Sequence, residues 1–256
     1  MNESNSTSEY VRGQHVNPDA APTKKRRALS TWAIVLASTT GVLYIVICVS
    51  VSTGMQWVSS VDDFVWSVVM SVRTDAITPF FRSLSFIGAT ACSVVIVVVF
   101  TVYLLVKRRP KSALFFLVVM GVGTVFFIVM KQVVARPRPS VEYLADGFLV
   151  ETDMSFPSGH SLTSVVLYGM MASIFCSLSK VDGKGRAFGK FLIVLAVAMP
   201  ILIGTSRLYM GEHFGTDVIA GWLAGATILA ISGNLYWNKL LNSEMASRGP
   251  HALKKG

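Results

Sequence analysis

From residue 30 onward the chain alternates long apolar runs with short polar segments. Six runs, over residues 31–52, 84–106, 113–134, 161–179, 189–205 and 217–237, approach or exceed the roughly 17 residues that a membrane-crossing helix needs. The fifth is the shortest, and Pro200 within it predicts a kink, because proline removes a backbone donor and crowds the preceding turn. Residues 58–77 mix apolar positions with Asp62, Asp63, Arg73 and Asp75, which predicts an amphipathic helix at the membrane interface. The pattern therefore predicts an all-α, polytopic membrane protein: a bundle of six transmembrane helices with an interfacial helix in its first outer loop. Residues 1–29, rich in Ser, Asn, Pro and charge, are expected to form a disordered tail. Residues 30–237 form the membrane domain, and residues 238–256 a second tail.

Composition agrees with this reading. Of 256 residues, 52% are hydrophobic and 14% charged, whereas a soluble domain carries about a quarter charged residues. The polar leader is too long for a secretory signal peptide, and the run Trp32–Val51 is long enough to span. Cys48, Cys92 and Cys176 all fall inside apolar runs and read as small apolar fillers, with no disulfide or metal-site spacing. Gly221 and Gly225, like Gly121 and Gly123, predict close helix approach. Trp32, Trp57 and Trp237 read as interface anchors. Asn5-Ser-Thr matches a glycosylation acceptor, in a tail expected to be cytoplasmic.

A net charge of +9 could point to nucleic acid, but the cations cluster in the short segments between apolar runs, so no nucleic-acid partner is expected. One side of the membrane collects the tail, which ends in Lys24-Lys25-Arg26-Arg27, the loops at 107–111 and 180–190, and the end from Lys239. That side holds 17 of the 23 basic residues. The positive-inside bias places both termini in the cytoplasm and the remaining polar segments on the extracytoplasmic face.

Three of those segments carry chemistry. Lys131 and Arg138 flank a Pro-stiffened turn, Pro157-Ser158-Gly159-His160 opens the fourth span, and Ser206-Arg207 precedes His213 and Asp217. Charge beside a membrane span is expensive and marks a functional site. His213 and Asp217, four apart, share a face if helical, so the carboxylate can orient the imidazole for nucleophilic attack. Arg207 suits a tetrahedral oxyanion. Ser158 can cap the fourth helix while Gly159 allows close backbone approach to an anion, beside His160 as general acid. Each segment alone also has a bland reading: a chance His/Asp pair, a helix cap, basic anchors at span ends. Arg136 is assigned to such headgroup contact, and the acidic residues Glu142, Asp146, Glu151 and Asp153 to a solvated loop.

Together, Lys131-x6-Arg138-Pro139, Pro157-Ser158-Gly159-His160 and Ser206-Arg207-x5-His213-x3-Asp217 resemble the three-part signature of the type 2 phosphatidic acid phosphatase (PAP2) superfamily, which includes lipid phosphate phosphatases and vanadium haloperoxidases. No position departs from it, and the similarity extends from about residue 30 to 237. The resemblance implies His213 as nucleophile through a phosphohistidine, Asp217 orienting it and His160 protonating the leaving group. It implies that Lys131, Arg138, Arg207, Ser158 and Gly159 bind the phosphate, with no metal and no cofactor. The implied partner is the lipid bilayer, and the implied substrate a membrane lipid phosphate or pyrophosphate. Undecaprenyl pyrophosphate is favoured over phosphatidylglycerol phosphate or phosphatidic acid. A haloperoxidase conflicts with the six apolar runs. A non-catalytic lipid-binding protein on the same scaffold would be expected to lose His213 or His160, and both are present.

Overall fold

The computed structural model describes residues 30–145, 151–182 and 185–241. The N-terminal tail with Asn5 and its basic run, Asp146, and the segment from residue 242 lie outside the described residues. Regular structure among the described residues is helical: α1 Thr31–Ser52, α2 Gln56–Val72, α3 Thr78–Gly88, α4 Thr90–Val106, α5 Pro110–Val134, α6 Gly159–Asp182, α7 Arg186–Tyr209 and α8 Gly215–Leu235. A π-helical turn, Tyr236–Leu241, carries the chain past residue 237, where the apolar pattern ends.

α1, α5, α6, α7 and α8 are each long and apolar enough to cross a membrane, and α3 with α4, bent by 52° at the break between them, are long and apolar enough only as a pair, the geometry of a broken span or a re-entrant loop. The protein is a multi-pass membrane protein. The bend is a departure from the continuous second span expected from sequence. At the break, Ala89 adopts an extended conformation, with φ −61° and ψ 151°. Just before it, a Cβ on Gly88 would stand 2.5 Å from Ile203 Cγ2 and 3.2 Å from His160 Cδ2. Both halves are apolar, so hydropathy alone could not reveal the break. α7, at 24 residues, is not the short helix expected. Its polar last turn, with Ser206 and Arg207, is buried by the rest of the bundle rather than exposed. Pro200 lies inside α7, where its carbonyl accepts a bond from Trp222 Nε1 at 2.9 Å.

α6 is the central helix, packed against α5, α7 and α8. Its Leu162, Val166, Leu167, Met170 and Ile174 meet Phe116 of α5 and Ala220 and Ala224 of α8 in the main core. The outward faces of α1, α4 and α5 expose Val and Ile side chains, such as Ile45, Val95 and Val122, as lipid contact demands. Lipid tails are as apolar as these side chains, so helix association here rests on close packing. Gly221 and Gly225 provide it: a Cβ would stand 2.6 Å from the Ser158 carbonyl oxygen at Gly221 and 2.8 Å from Val165 Cβ at Gly225. Gly121 differs from expectation, having nothing within 4 Å of a Cβ position, and lines a cavity instead.

The start of α1 and the end of α8 share one end of the bundle, joined by an Asn234 Nδ2 to Ser30 Oγ bond of 2.8 Å. The ends of α5 and α7 and the starts of α6 and α8 meet at the other, where α2 packs on α7 and α8. Filling the α6–α8 contact should loosen that second end. Gly221→Ala is expected to cost about 1–3 kcal/mol, as overpacking does, read as a lower thermal unfolding midpoint in detergent. An unchanged midpoint would show that the helices can part there freely.

Candidate active site

α5 ends at Ala135, a left-handed residue (φ 49°) whose N–H bonds back to the Lys131 carbonyl at 2.9 Å. The chain turns there, and the segment 151–157 runs beside residues 136–139, fastened by a 2.8 Å bond from Ser155 N to the Arg136 carbonyl. Between α7 and α8 the turn needs Gly211, at φ 85°, because a Cβ would collide with the Tyr143 carbonyl. Glu212 and His213 follow, both buried.

His213 therefore precedes α8 rather than sharing a helical face with Asp217. Its Nδ1 lies 3.6 Å from Asp217 Oδ2, too far for a hydrogen bond. Ser155 bridges them, donating to Asp217 Oδ2 at 2.5 Å with its oxygen 3.3 Å from His213 Nδ1. With the Ser155 hydroxyl hydrogen directed at Asp217, the serine oxygen accepts from Nδ1–H, which leaves the lone pair on Nε2. Asp217 also accepts from Phe214 N at 3.0 Å, capping its own helix.

Arg136 is not a headgroup contact. Its Nη1 donates to Asp217 Oδ1 at 2.7 Å and to Thr216 Oγ1 at 2.8 Å, its Nη2 donates to Asp62 Oδ2 at 2.6 Å, and the guanidinium stacks 4.0 Å over Phe214. Asp62 in turn accepts from Thr216 N at 2.9 Å. Burial weakens the Arg136 charge, but Asp217 and Asp62 outweigh it and hold the guanidinium more firmly protonated than usual.

Of the acidic loop residues, Glu142 is exposed as expected, but Glu151 and Asp153 are not simply solvated. Lys131 donates to Asp153 Oδ2 at 2.6 Å and to the Met154 carbonyl. Arg138 contacts Glu151 and Asp153 and donates to the Glu212 carbonyl at 2.9 Å. Arg207 donates to Glu151 Oε1 at 2.9 Å and Ser85 Oγ at 2.5 Å, and pairs with Glu212. Burial alone would raise the Asp153 carboxyl, yet the bonds from Lys131 and Arg138 prevail and draw it down to about 2. Burial, reinforced by Arg207, Arg138 and Lys131, holds His213 well below the usual imidazole range, so the ring is neutral.

A cavity of about 570 Å³ opens onto this cluster. Lys131, Arg138, Gly159, His160 and His213 line it, as do Glu151 and Asp153. Its walls continue along Val94, Val97, Met120, Gly121 and Phe127, between α4 and α5. Of the expected residues, Arg207 and Asp217 stand behind the wall, reaching the site through Glu151 and Ser155. Ser158 is also buried off the wall: its N–H bonds the Asp217 carbonyl at 3.1 Å, and its Oγ accepts from Ser161 N at 3.4 Å as a helix cap. Among the described residues no group of three or more His, Cys, Asp or Glu side chains is arranged to hold a metal ion.

Sequence reasoning missed Ser155, Arg136 and Asp62. Ser155 carries no local signal. Asp62 did: with Val58, Trp66 and Val69 it lies on the stripe that α2 buries, and a charge on an apolar stripe needs a partner.

The PAP2 superfamily model matches residues 112–240, just over half the chain, and contains every segment of this cluster except Asp62 and Ser85. The chain belongs to the PAP2 superfamily. This PAP2 chain is similar to phosphatidylglycerophosphatase B of Bacillus subtilis, 26% identical over 66% of this chain and 79% of the relative. It is also similar to an undecaprenyl-diphosphatase of Sulfolobus acidocaldarius, 30% identical over 57% of this chain and 61% of the relative. Its fold matches the crystal structure of a transmembrane PAP2-type phosphatidylglycerolphosphate phosphatase from Bacillus subtilis. That match has a TM-score of 0.67 at 21% identity, covering 84% of this chain and 98% of that one.

Arg136→Ala strands Asp62 and Asp217 as buried charges, and breaking such a pair costs about 3–5 kcal/mol. A correspondingly lower unfolding midpoint is expected, partly restored by adding Asp62→Asn; no loss would mean that other groups neutralise both acids.

Proposed function

We propose that this PAP2 protein is a membrane lipid phosphatase that hydrolyses a lipid-linked phosphate or pyrophosphate at the extracytoplasmic membrane surface. One observation carries the reading: a single cavity has His213, His160, Lys131 and Arg138 at one end and an apolar wall between α4 and α5 along its side. Such a cavity suits an anionic head joined to an apolar tail. The charge asymmetry of the loops supports a membrane domain over residues 30–237 with both termini in the cytoplasm. The names of the similar proteins support lipid phosphates as the substrate class, polyprenyl pyrophosphate among them.

In the first step Nε2 of neutral His213 attacks phosphorus. The bond from phosphorus to the leaving oxygen breaks, and His160, protonated beside the negative charge of the bound phosphate, gives that oxygen its proton. Asp217, acting through Ser155, holds the Nδ1 proton and stabilises the cationic ring. Lys131 and Arg138 at the cavity wall, and Arg207 once Glu151 gives way, neutralise the charge spread over the equatorial oxygens, the term that dominates phosphoryl transfer. Gly159, at the first turn of α6, lets the backbone approach the phosphate; Ser158 supports that turn as its cap. In the second step water, losing a proton to His160, attacks the phosphohistidine. The N–P bond breaks, and phosphate and neutral His213 are regenerated. The fixed cations supply electrostatic stabilisation without a metal.

Purified protein should release phosphate in EDTA from at least one of undecaprenyl pyrophosphate, phosphatidylglycerol phosphate and phosphatidic acid, and His213→Ala should release none. Residual turnover in that variant would remove His213 as nucleophile, and a strict Mg²⁺ requirement would overturn the site assignment. The pH profile offers a second check. Because His213 is held below its ordinary value, it stays unprotonated as pH falls through about 6.5, where a free imidazole is half protonated. Phosphoenzyme formation in rapid quench should therefore not decline across that value; a fall there would mean an ordinary, solvated histidine.

A further inference from the structure

Three cations form the phosphate end of the site, and each is already paired with a carboxylate. These carboxylates are of two kinds. Glu212 sits behind Arg207 with its side chain 1% exposed. Glu151 and Asp153 come from the open side, with side chains 38% and 53% exposed, while the cations they hold, Lys131, Arg138 and Arg207, are 7%, 11% and 2% exposed. Glu151 spans two guanidiniums, one oxygen on Arg138 and the other on Arg207. Asp153 spans Lys131 and Arg138 in the same way.

We propose that Glu151 and Asp153 are internal phosphate mimics that hold these cations until a tetrahedral phosphate displaces them, and so set the affinity of the site for it. The proposal rests on the reading of these cations as the phosphate site. Buried cations need a counter-charge at every stage. A carboxylate that reaches them from solvent can leave when substrate phosphate arrives, because it regains its own hydration. The same group returns when inorganic phosphate departs, and so competes with the product. Glu212, buried, cannot exchange in this way and keeps Arg207 aimed throughout. Asp153 is ionised at any working pH, its carboxyl being drawn down to about 2, which keeps the mimic charged. The exchange discriminates by charge: a ligand displaces both carboxylates only if it offers each cation an anionic oxygen, as phosphate and pyrophosphate groups do and a single carboxylate does not.

The sign of the effect is unusual for residues in a charged site, since removing them should improve binding. The test is calorimetric titration of the purified, full-length protein with orthophosphate and, separately, with a short-chain phosphatidic acid. The proteins compared are the wild type, Glu151→Gln, Asp153→Asn and the double variant. Each single variant is expected to bind orthophosphate about tenfold more tightly, as loss of one competing ion pair allows. The double variant should gain more, and turnover should show stronger inhibition by orthophosphate. A gain with the lipid phosphate alone, with orthophosphate binding unchanged, would overturn the proposal in favour of a role in headgroup selection. Should the Gln and Asn variants fail to fold, Glu151→Asp, which keeps the charge but shortens its reach to Arg207, should give a smaller gain. Equal or weaker phosphate binding in the folded variants would overturn the proposal. If the variants bind phosphate more tightly but the wild type hydrolyses no lipid phosphate, the mimic stands and the phosphatase reading falls.

Discussion

The bond pair that Arg136 makes, to Asp62 on one side and Asp217 on the other, ties α2 to the start of α8. Both carboxylates are buried, and burying a carboxylate is costly unless a partner of opposite charge lies at hydrogen-bond distance. Once Asp217 is held by Arg136 and by Phe214 N, its second oxygen has one direction left, toward Ser155 and the His213 ring. Imidazole orientation thus depends on a guanidinium that touches neither the histidine nor the cavity wall. α2 is bound to the same point, so that helix and the two signature-bearing turns hold one geometry together.

Close approach of α6 and α8 is the second constraint. Gly221 lets the Ser158 turn lie against α8, so that Ser158 N can donate to the Asp217 carbonyl. The start of α6, carrying His160, and the start of α8, behind His213, are registered by that one backbone bond. The break between α3 and α4 serves the same end from another direction, since Gly88 brings the chain against the edge of the His160 ring.

Much of this was legible in the chain before any geometry. Hydropathy located the spans, because in lipid a crossing segment must be continuous, apolar and helical. Residue type and spacing located the cavity residues Lys131, Arg138, His160 and His213, because charge beside a span is rare. What escaped was everything set by contact between distant segments. Ser155 is one serine among many until the loop folds over Arg136. Arg136 looked like Arg138's idle neighbour because its partners lie 74 and 81 residues away. The His213–Asp217 spacing fits a helix, but the helix starts two residues after the histidine, and a serine closes the gap.

Glu151 and Asp153 show why a polar loop is the hardest element to read. Acid residues in a connecting segment are ordinarily solvated, and by exposure these two are still half so. What distinguishes them is the other partner: cations almost wholly withdrawn from water, whose burial is costly unless an anion stands beside them. A cluster of buried cations therefore carries a requirement that residue type alone does not state, namely a counter-charge for each of them. Water can supply that in an open, hydrated site. Here Arg207 lies behind Glu151 and Glu212, sealed on both sides, and the protein's own carboxylates supply it instead.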